Sequence, residues 1–115
     1  MKRVFIAGPF RGKTPYDVHR NVIEAESFIL PIAQIGACPV CPHTMTQHFD
    51  HTMTDDFWLE ATSCLLEACD ALIATDRWYE SDGAMNEVEK MQRMGRRTFF
   101  GIDGLSELAK YVKDM

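Results

Sequence analysis

Four short apolar runs alternate with segments of helical spacing, and this alternation limits the possible folds more than any other feature of the chain. The runs are Val4–Ala7, Gly36–Pro42, Asp70–Thr75 and Thr98–Ile102. Each run is too short for a typical helix and is bounded by turn-forming or polar residues, as strands buried in a sheet are. Strands that alternate with helices predict a parallel sheet with helices on both faces.

Apolar residues at helical spacing predict four helices, over Pro15–Gly36, Asp55–Cys69, Gly83–Met94 and from Asp103 onward. Pro31 interrupts the first of these segments, so we expect that helix to kink or end there. Gly95 follows the third segment and is a predicted C-cap. The polar stretch His43–Met53 has no clear period and is interpreted as a loop.

Four strands in 115 residues indicate a single small α/β domain of the flavodoxin-like, three-layer kind, with a parallel sheet of four to five strands in the order 2-1-3-4. Two prolines, Pro39 and Pro42, favour an edge position for the second strand. Ligands of such sheets bind beyond the carboxyl ends of the strands where the strand order reverses, here above strands 1 and 3. The loops Gly8–Thr14 and Asp76–Asp82 are expected there, with His43–Met53 beside them.

The charge and the apolar runs exclude some classes of partner. A net charge of −5 and a pI near 5.3 argue against a nucleic-acid polymer, which needs a basic face, but not against a small nucleotide. No apolar run approaches the roughly 20 residues of a membrane span, and the run at the N-terminus is too short for a signal peptide. We therefore expect no membrane partner and a cytoplasmic protein whose four cysteines are reduced.

The loop after strand 1, Gly8-Pro9-Phe10-Arg11-Gly12-Lys13-Thr14, has the features of an anion site. Two glycines, two cations and the start of a helix can hold an anion through backbone N–H groups and the positive helix end. The loop is not a P-loop, because its two glycines are four residues apart instead of five. A tight turn with two solvated cations explains the same residues.

Ser81, Asp82 and Gly83 open the third predicted helix. Ser81 or Asp82 is expected to cap the N-terminus of that helix. A capping hydroxyl beside free backbone N–H groups is also where a phosphate would lie, so the structural role and the binding role are compatible.

Glu87 is the most informative residue of this helix. The inward stripe consists of Ala84, Val88 and Met91, and Glu87 falls on it, three residues after Ala84, where an apolar side chain is expected. A carboxylate that is partly buried at the strand ends should be paired or should have a function, since burying it unpaired is costly. The structural alternatives are a carboxylate that bends back to the N-terminus of the helix and an ion pair with Arg11 or Lys90. Glu89 should face solvent.

Two cysteines and nearby histidines invite a zinc hypothesis. Cys38-x-x-Cys41 precedes His43, His48 and His51. No further pair at zinc-finger spacing follows, and the prolines beside the cysteines fit the end of a strand, so we expect no metal site.

Several of these residues together resemble the nucleoside 2-deoxyribosyltransferase-like superfamily, over nearly the whole chain. The matching segments are Phe5-Ile6-Ala7-Gly8-Pro9-Phe10-Arg11-Gly12, Asn21, Cys41-Pro42-His43-Thr44, Cys69-Asp70-Ala71-Leu72 and Trp78-x-x-Ser81-x-Gly83-Ala84-x-x-Glu87, with the turn at Gly95. The last of the quoted motifs is the most specific, because it follows a Cys-Asp-Ala-Leu strand.

The resemblance implies that Glu87 is a nucleophile that attacks the anomeric carbon of a 2-deoxyribose. A covalent glycosyl-enzyme forms as the base leaves, and water (in a hydrolase) or a second base (in a transferase) then takes the sugar. The 2′-deoxynucleoside 5′-phosphate N-hydrolase branch has a Ser six residues before its Glu and a Gly-x-x-Arg-Gly loop, as Ser81 and Gly8–Gly12 do here. This favours a nucleoside 5′-monophosphate as the substrate, with no cofactor.

The expected roles of the other residues follow from the same resemblance. Arg11, Ser81 and Gly83 are candidates for the phosphate side of the site, and Phe10, His43 and Trp78 for the base side. Trp78 is most simply a core or interface residue, as Phe57 and Trp58 are, and its place in the loop before Ser81 would also let it stack on a base. The loop residues Gly8, Pro9 and Gly12 complete the expected substrate-binding set.

One position departs from the pattern of the family. The family has an Asp on the helix before strand 3, eight residues ahead of the first Asp of that strand, and this chain has Thr62 there. Asp56, Glu60 and Asp82 are possible substitutes, and we assign Asp82 as the second catalytic carboxylate. If no carboxylate takes this role, the alternative is a non-catalytic module that binds a nucleotide or a nucleotide-sugar on the same fold.

The length of the chain also predicts self-association. The proposed chemistry needs a dry pocket, and 115 residues cover the strand ends poorly. We expect a homodimer or a higher homo-oligomer, with Phe57 and Trp58 near the contact.

Overall fold

Strands and helices alternate along the computed structural model, which describes residues 1–49 and 51–114. The strands are β1 (Arg3–Ala7), β2 (Cys38–Val40), β3 (Ala71–Ala74) and β4 (Arg97–Phe100). The helices are α1 (Pro15–Glu26), α2 (Ile29–Ile35), α3 (Pro42–Thr46), α4 (Asp55–Glu67), α5 (Asp82–Arg93) and α6 (Gly104–Lys113). A 3₁₀ turn covers Trp78–Glu80, between β3 and α5.

The sheet has the predicted order, with all four strands parallel. β1 lies between β2 and β3, and β4 follows β3 at the other edge. Phe5 of β1 is in register with Val40 on one side and with Leu72 on the other. β2 is an edge strand, as its prolines predict. The carboxyl ends of the four strands therefore lie at one edge of the sheet.

Alternate side chains of the strands contribute to two separate apolar cores, one on each face of the sheet. The first face packs against α1, α2 and α6, through Ala25, Ile32 and Leu108; we call it the α1/α2/α6 face. The second packs against α4 and α5, through Leu66 and Met91, and we call it the α4/α5 face. Helices on both faces give the three-layer α/β architecture expected from the sequence.

The first predicted helix is interrupted upstream of Pro31. α1 ends at Glu26 and α2 begins at Ile29. A proline ring excludes the carbonyl group four residues before it in a helix, and here that residue, Ser27, lies at the break. Pro31 itself lies in the first turn of α2. Backbone N–H groups there have no carbonyl acceptor within the helix, so the N–H that proline lacks costs no hydrogen bond.

The stretch His43–Met53 is not entirely a loop, which corrects the expectation from its polar sequence. Residues 42–46 form α3, and Pro42 at its first position suits the helix because its backbone torsion is already helical. The hydroxyl of Thr46 donates to the carbonyl of Pro42 at 3.0 Å. A helix of five residues is too short to show a period. Asp50, which the predicted loop includes, lies outside the described residues.

The ends of the helices are fixed by local contacts. Thr14 and Asp17 form a capping box at the start of α1. Gly95 follows α5 with a φ of +74°, which only a residue without a Cβ adopts easily, so the predicted stop is confirmed. Among the described residues, no helix is both long enough and apolar enough to cross a membrane.

Candidate functional site

A cavity of about 600 Å³ lies on the α4/α5 face, beyond the carboxyl ends of the strands. One side is the segment that follows β1, Gly8–Arg11, which we call the β1 wall. The start of α3 and one face of α4 form a second side, and Glu80–Ala84 with the inner face of α5 form a third. This is the edge of the sheet at which the strand order predicts a ligand.

Nine of the eleven predicted site residues line this cavity, namely Gly8, Pro9, Phe10, Arg11, His43, Ser81, Asp82, Gly83 and Glu87. The other two, Gly12 and Trp78, lie outside the lining. Gly12 packs so closely on Asp17 of α1 that a Cβ would overlap that side chain. Trp78 packs on the ring of Phe100, with the centroids 5.1 Å apart.

Glu87 lies one turn into α5 and lines the cavity. Its stripe neighbours are buried, which confirms the predicted inner face; they are Ala84, Val88 and Met91. Lys90, one of the two expected partners, contacts Glu67 at 2.7 Å. Arg11, the other, contacts Asp55 at 2.7 Å. The predicted ion pair of Glu87 with either cation is therefore replaced by pairs with other carboxylates.

The carboxyl of Glu87 has neither an ion pair nor a hydrogen bond with any of the residues the structure describes. Burial raises the pKa of Glu87 to about 8, from the ordinary 4.5. At pH 7 only about a tenth of the molecules then carry the carboxylate. Glu89, on the same helix, is exposed and contacts Arg93 at 3.8 Å. Two glutamates of one helix thus have opposite environments.

The start of α5 has the predicted cap. The hydroxyl of Ser81 accepts a hydrogen bond from the backbone N–H of Ala84 at 3.2 Å. Asp82 lies in the first turn, where the positive end of the helix stabilises a carboxylate. Both residues line the cavity, so this helix start is available to a ligand as well as capped.

His43 is buried and joins α3 to the β1 wall. Its Nε2 lies 3.2 Å from the carbonyl oxygen of Gly8 and 2.9 Å from that of Pro9, so this nitrogen carries the proton and donates. Its Nδ1 has no partner within the described chain. Burial lowers the pKa of His43, which keeps the ring neutral. The ring of Phe10 lies 5.7 Å from it, between centroids.

One face of α4 lines the cavity, and the sequence interpretation missed it. The lining residues recur at helical spacing from Asp55 through Trp58, Leu59, Thr62, Ser63 and Leu66. This spacing was visible in the sequence, but a stripe at helical spacing does not show whether that face of the helix is packed or open. Trp58, interpreted as a core or contact residue, lines the cavity, and its indole N–H is buried without a partner among the described residues.

Thr62, at the position where the resemblance to the deoxyribosyltransferase-like superfamily leads one to expect an Asp, also lines the cavity. Of the three possible substitutes, Asp82 is in the lining, whereas Asp56 and Glu60 are not. Two further carboxylates, Asp55 and Glu80, line it as well.

The described residues contain no group of three or more His, Cys, Asp or Glu side chains that could hold a metal ion. Cys38 is half-buried in β2, and Cys41 is buried at its end. Burial raises the pKa of the Cys41 thiol, and it raises that of Cys69 to about 11. High pKa values disfavour the thiolates that both metal binding and redox chemistry use.

Fold and site together define a small three-layer α/β domain with a ligand-sized cavity at the carboxyl edge of its sheet. The chain belongs to the family described as Domain of unknown function (DUF7768), whose model matches residues 2–100. The match includes every residue that lines the cavity. No curated protein matches the chain.

Proposed function

We propose that this chain cleaves or transfers the N-glycosidic bond of a (deoxy)nucleoside 5′-monophosphate, with Glu87 as the nucleophile. The observation that carries the proposal is the carboxyl of Glu87, which has no partner among the described residues and lines a cavity of about 600 Å³. Cavities of that size hold small-molecule ligands. A carboxyl in this position costs the fold stability, so a ligand or a reaction is the reason we give for it. The resemblance to the deoxyribosyltransferase-like superfamily adds the chemistry.

The proposed reaction has two steps. An Oε atom of Glu87 bonds to the anomeric carbon, while the bond from that carbon to the base breaks and its electron pair goes to the base nitrogen. The departing base takes a proton from a water molecule, and Asp82, in the cavity lining, is the carboxylate we assign to hold that water. Water or a second base then bonds to the anomeric carbon and frees Glu87.

The raised pKa of Glu87 gives this reaction a pH dependence. The nucleophile must be ionised, and burial places its pKa at about 8. Below that pH, kcat/KM should rise about tenfold per pH unit, since the ionised fraction does so. Had Glu87 been the general acid, the rate would instead fall above pH 8.

The phosphate side of the proposed site consists of Arg11, Ser81 and Gly83. Arg11 contacts Asp55 at 2.7 Å, and both side chains are more than half exposed. An exposed pair of this kind contributes little stability, so a phosphate can exchange with Asp55 for the guanidinium.

A second candidate function is binding without turnover, on the same cavity. Thr62 favours binding without turnover, because a hydroxyl lines the cavity where the deoxyribosyltransferase-like superfamily has a carboxylate. Incubation with a panel of deoxynucleoside and nucleoside 5′-monophosphates distinguishes the two, with free base measured by chromatography. We expect base from at least one of them. If none gives base and one raises the melting temperature, the module is correct and the enzyme is not.

We also propose that a second copy of the chain covers the mouth of the cavity. Five large apolar side chains between residues 45 and 59 are at least 43% exposed; they are Met45, Phe49, Met53, Phe57 and Leu59. So many within one short segment are typical of an interaction surface. Light scattering after size exclusion should give twice the mass of one chain, and Phe57→Ser with Leu59→Ser should reduce it. The proposed setting is the cytoplasm, where the four thiols stay reduced.

A further inference from the structure

Four consecutive backbone carbonyls, those of the β1 wall, accept hydrogen bonds from two buried side chains. His43 Nε2 lies 3.2 and 2.9 Å from the oxygens of the first two residues of the wall. Asn21 Nδ2 lies 3.1 and 3.3 Å from the oxygens of its last two residues. Asn21 is 4% and His43 5% exposed. An irregular segment depends on such side chains to pair its buried backbone groups.

The orientation of Asn21 is fixed by its other neighbour. Its Oδ1 accepts a hydrogen bond from Arg77 Nη2 at 2.6 Å. A guanidinium only donates, so the amide oxygen must face Arg77 and the amide nitrogen must face the wall. Arg77 is itself held by Glu24 of α1, with Nε to Oε1 at 2.9 Å and Nη2 to Oε2 at 2.7 Å.

Arg77 also contacts a residue on the opposite side of the cavity. Arg77 directly precedes the 3₁₀ turn, and its Nη1 lies 3.7 Å from Glu80, which lines the cavity next to the start of α5. A chain of polar contacts therefore runs from the β1 wall through Asn21 to the segment before α5. The two loops that the strand order brings together are bonded to each other through α1.

We propose that Asn21 and His43 are positioning residues that clamp the β1 wall, Asn21 to the segment before α5 and His43 to α3, with Arg77 and Glu24 fixing the orientation of Asn21. A network of this kind is rigid, because the wall carbonyls would lose their donors if the wall moved. The clamp gives the cavity its shape before a ligand enters and limits the entry of water beside Glu87. Its role in catalysis rests on the proposed function, whereas its role in the shape of the cavity does not.

The ionisation of Glu87 reports on the clamp in the free protein. Side-chain ¹³C NMR with labelled glutamate follows the titration, and the signal of Glu87 is assigned by its absence in Glu87→Gln. In Asn21→Leu the last two carbonyls of the wall lose their donor, the wall is released and more water reaches Glu87. The pKa of Glu87 should then fall by about one unit or more from about 8.

Two further variants make the test decisive. Leu108→Ala removes a buried side chain on the α1/α2/α6 face, so it lowers stability without touching the clamp and should leave the titration of Glu87 unchanged. Arg77→Lys keeps the charge but loses the planar guanidinium that holds Asn21. It should shift the titration of Glu87 in the same direction as Asn21→Leu does. It takes the place of Asn21→Leu if that variant does not fold. An unchanged titration in the folded clamp variants, or an equal shift in Leu108→Ala, would overturn the clamp.

Base release from nucleoside monophosphates, measured on the same proteins, separates the clamp from the proposed function. If the unmodified chain releases no base and the titration still shifts as expected, the proposed chemistry fails and the clamp stands. If base is released and the titration of Glu87 does not respond, the clamp fails alone.

Discussion

The two faces of the sheet differ in what the inner sides of their helices carry. On the α1/α2/α6 face, Ile32 and Leu108 are fully buried in a continuous apolar core. On the α4/α5 face, Leu66 and Met91 are also buried, yet a cavity of about 600 Å³ remains beside them. That cavity is lined by polar inward residues, Glu87 among them. A carboxyl on an inward stripe, without a partner among the described residues, therefore marks the part of this face that is open to a ligand.

The largest effect should come from removing the polar group on that stripe. Glu87→Gln keeps the size of the side chain and removes the nucleophile, so base release should fall at least about a thousandfold. Glu89→Gln, an exposed residue of the same helix, is the matched control and should keep nearly full activity. Similar losses in both variants would mean that the cavity side of α5 has no special role.

The next effect concerns stability and pH. Below pH 4.5 the Glu87 carboxyl is protonated in both the folded and the unfolded chain and costs nothing. Between pH 4.5 and about 8 the unfolded chain ionises first, so the folded state loses stability, up to about 5 kcal/mol in all. Urea unfolding at pH 5 and pH 9 should show that the free energy of unfolding of Glu87→Gln exceeds that of the unmodified chain by more at pH 9 than at pH 5. A difference independent of pH would mean an ordinary, solvated carboxylate.

The two faces should also respond differently to the loss of a leucine. Leu108→Ala should cost about 3 kcal/mol, because it opens a void in a packed core. Leu66→Ala should cost about 1 kcal/mol less, since Leu66 already borders the cavity and has fewer contacts to lose. Urea unfolding of the two variants measures the difference. Equal costs would show that the α4/α5 face is as closely packed as the other.

The smallest effect is expected at Trp58. Trp58→Phe removes an indole N–H that has no acceptor among the described residues, so the free energy of unfolding should change by less than about 1 kcal/mol. Thermal unfolding of the free protein measures it. A large loss of stability would instead show that the indole nitrogen has an acceptor in the folded protein.

The sheet could be predicted from the sequence, because short apolar runs between helical segments leave few arrangements. The position of the break before Pro31 could not, since the steric clash acts on Ser27, upstream of the residue that causes it. α3 was missed because five residues carry no period.

Much of the site could also be predicted from the sequence. The inward position of Glu87 followed from the stripe of α5. Its lack of a partner did not, because Lys90 pairs with Glu67 only through the packing of α5 on α4. The role of the α4 face was missed for a related reason: a helical stripe does not show whether the neighbouring element fills the space in front of it.

The most direct test of the central claim is the mass of the intact protein, acid-quenched during turnover of a nucleoside monophosphate that gives free base. We predict a fraction of the chain heavier by the sugar phosphate, with the added mass on the peptide that contains Glu87 and absent in Glu87→Gln. An adduct on a different residue, or base release that persists in Glu87→Gln, would contradict the claim that Glu87 is the nucleophile.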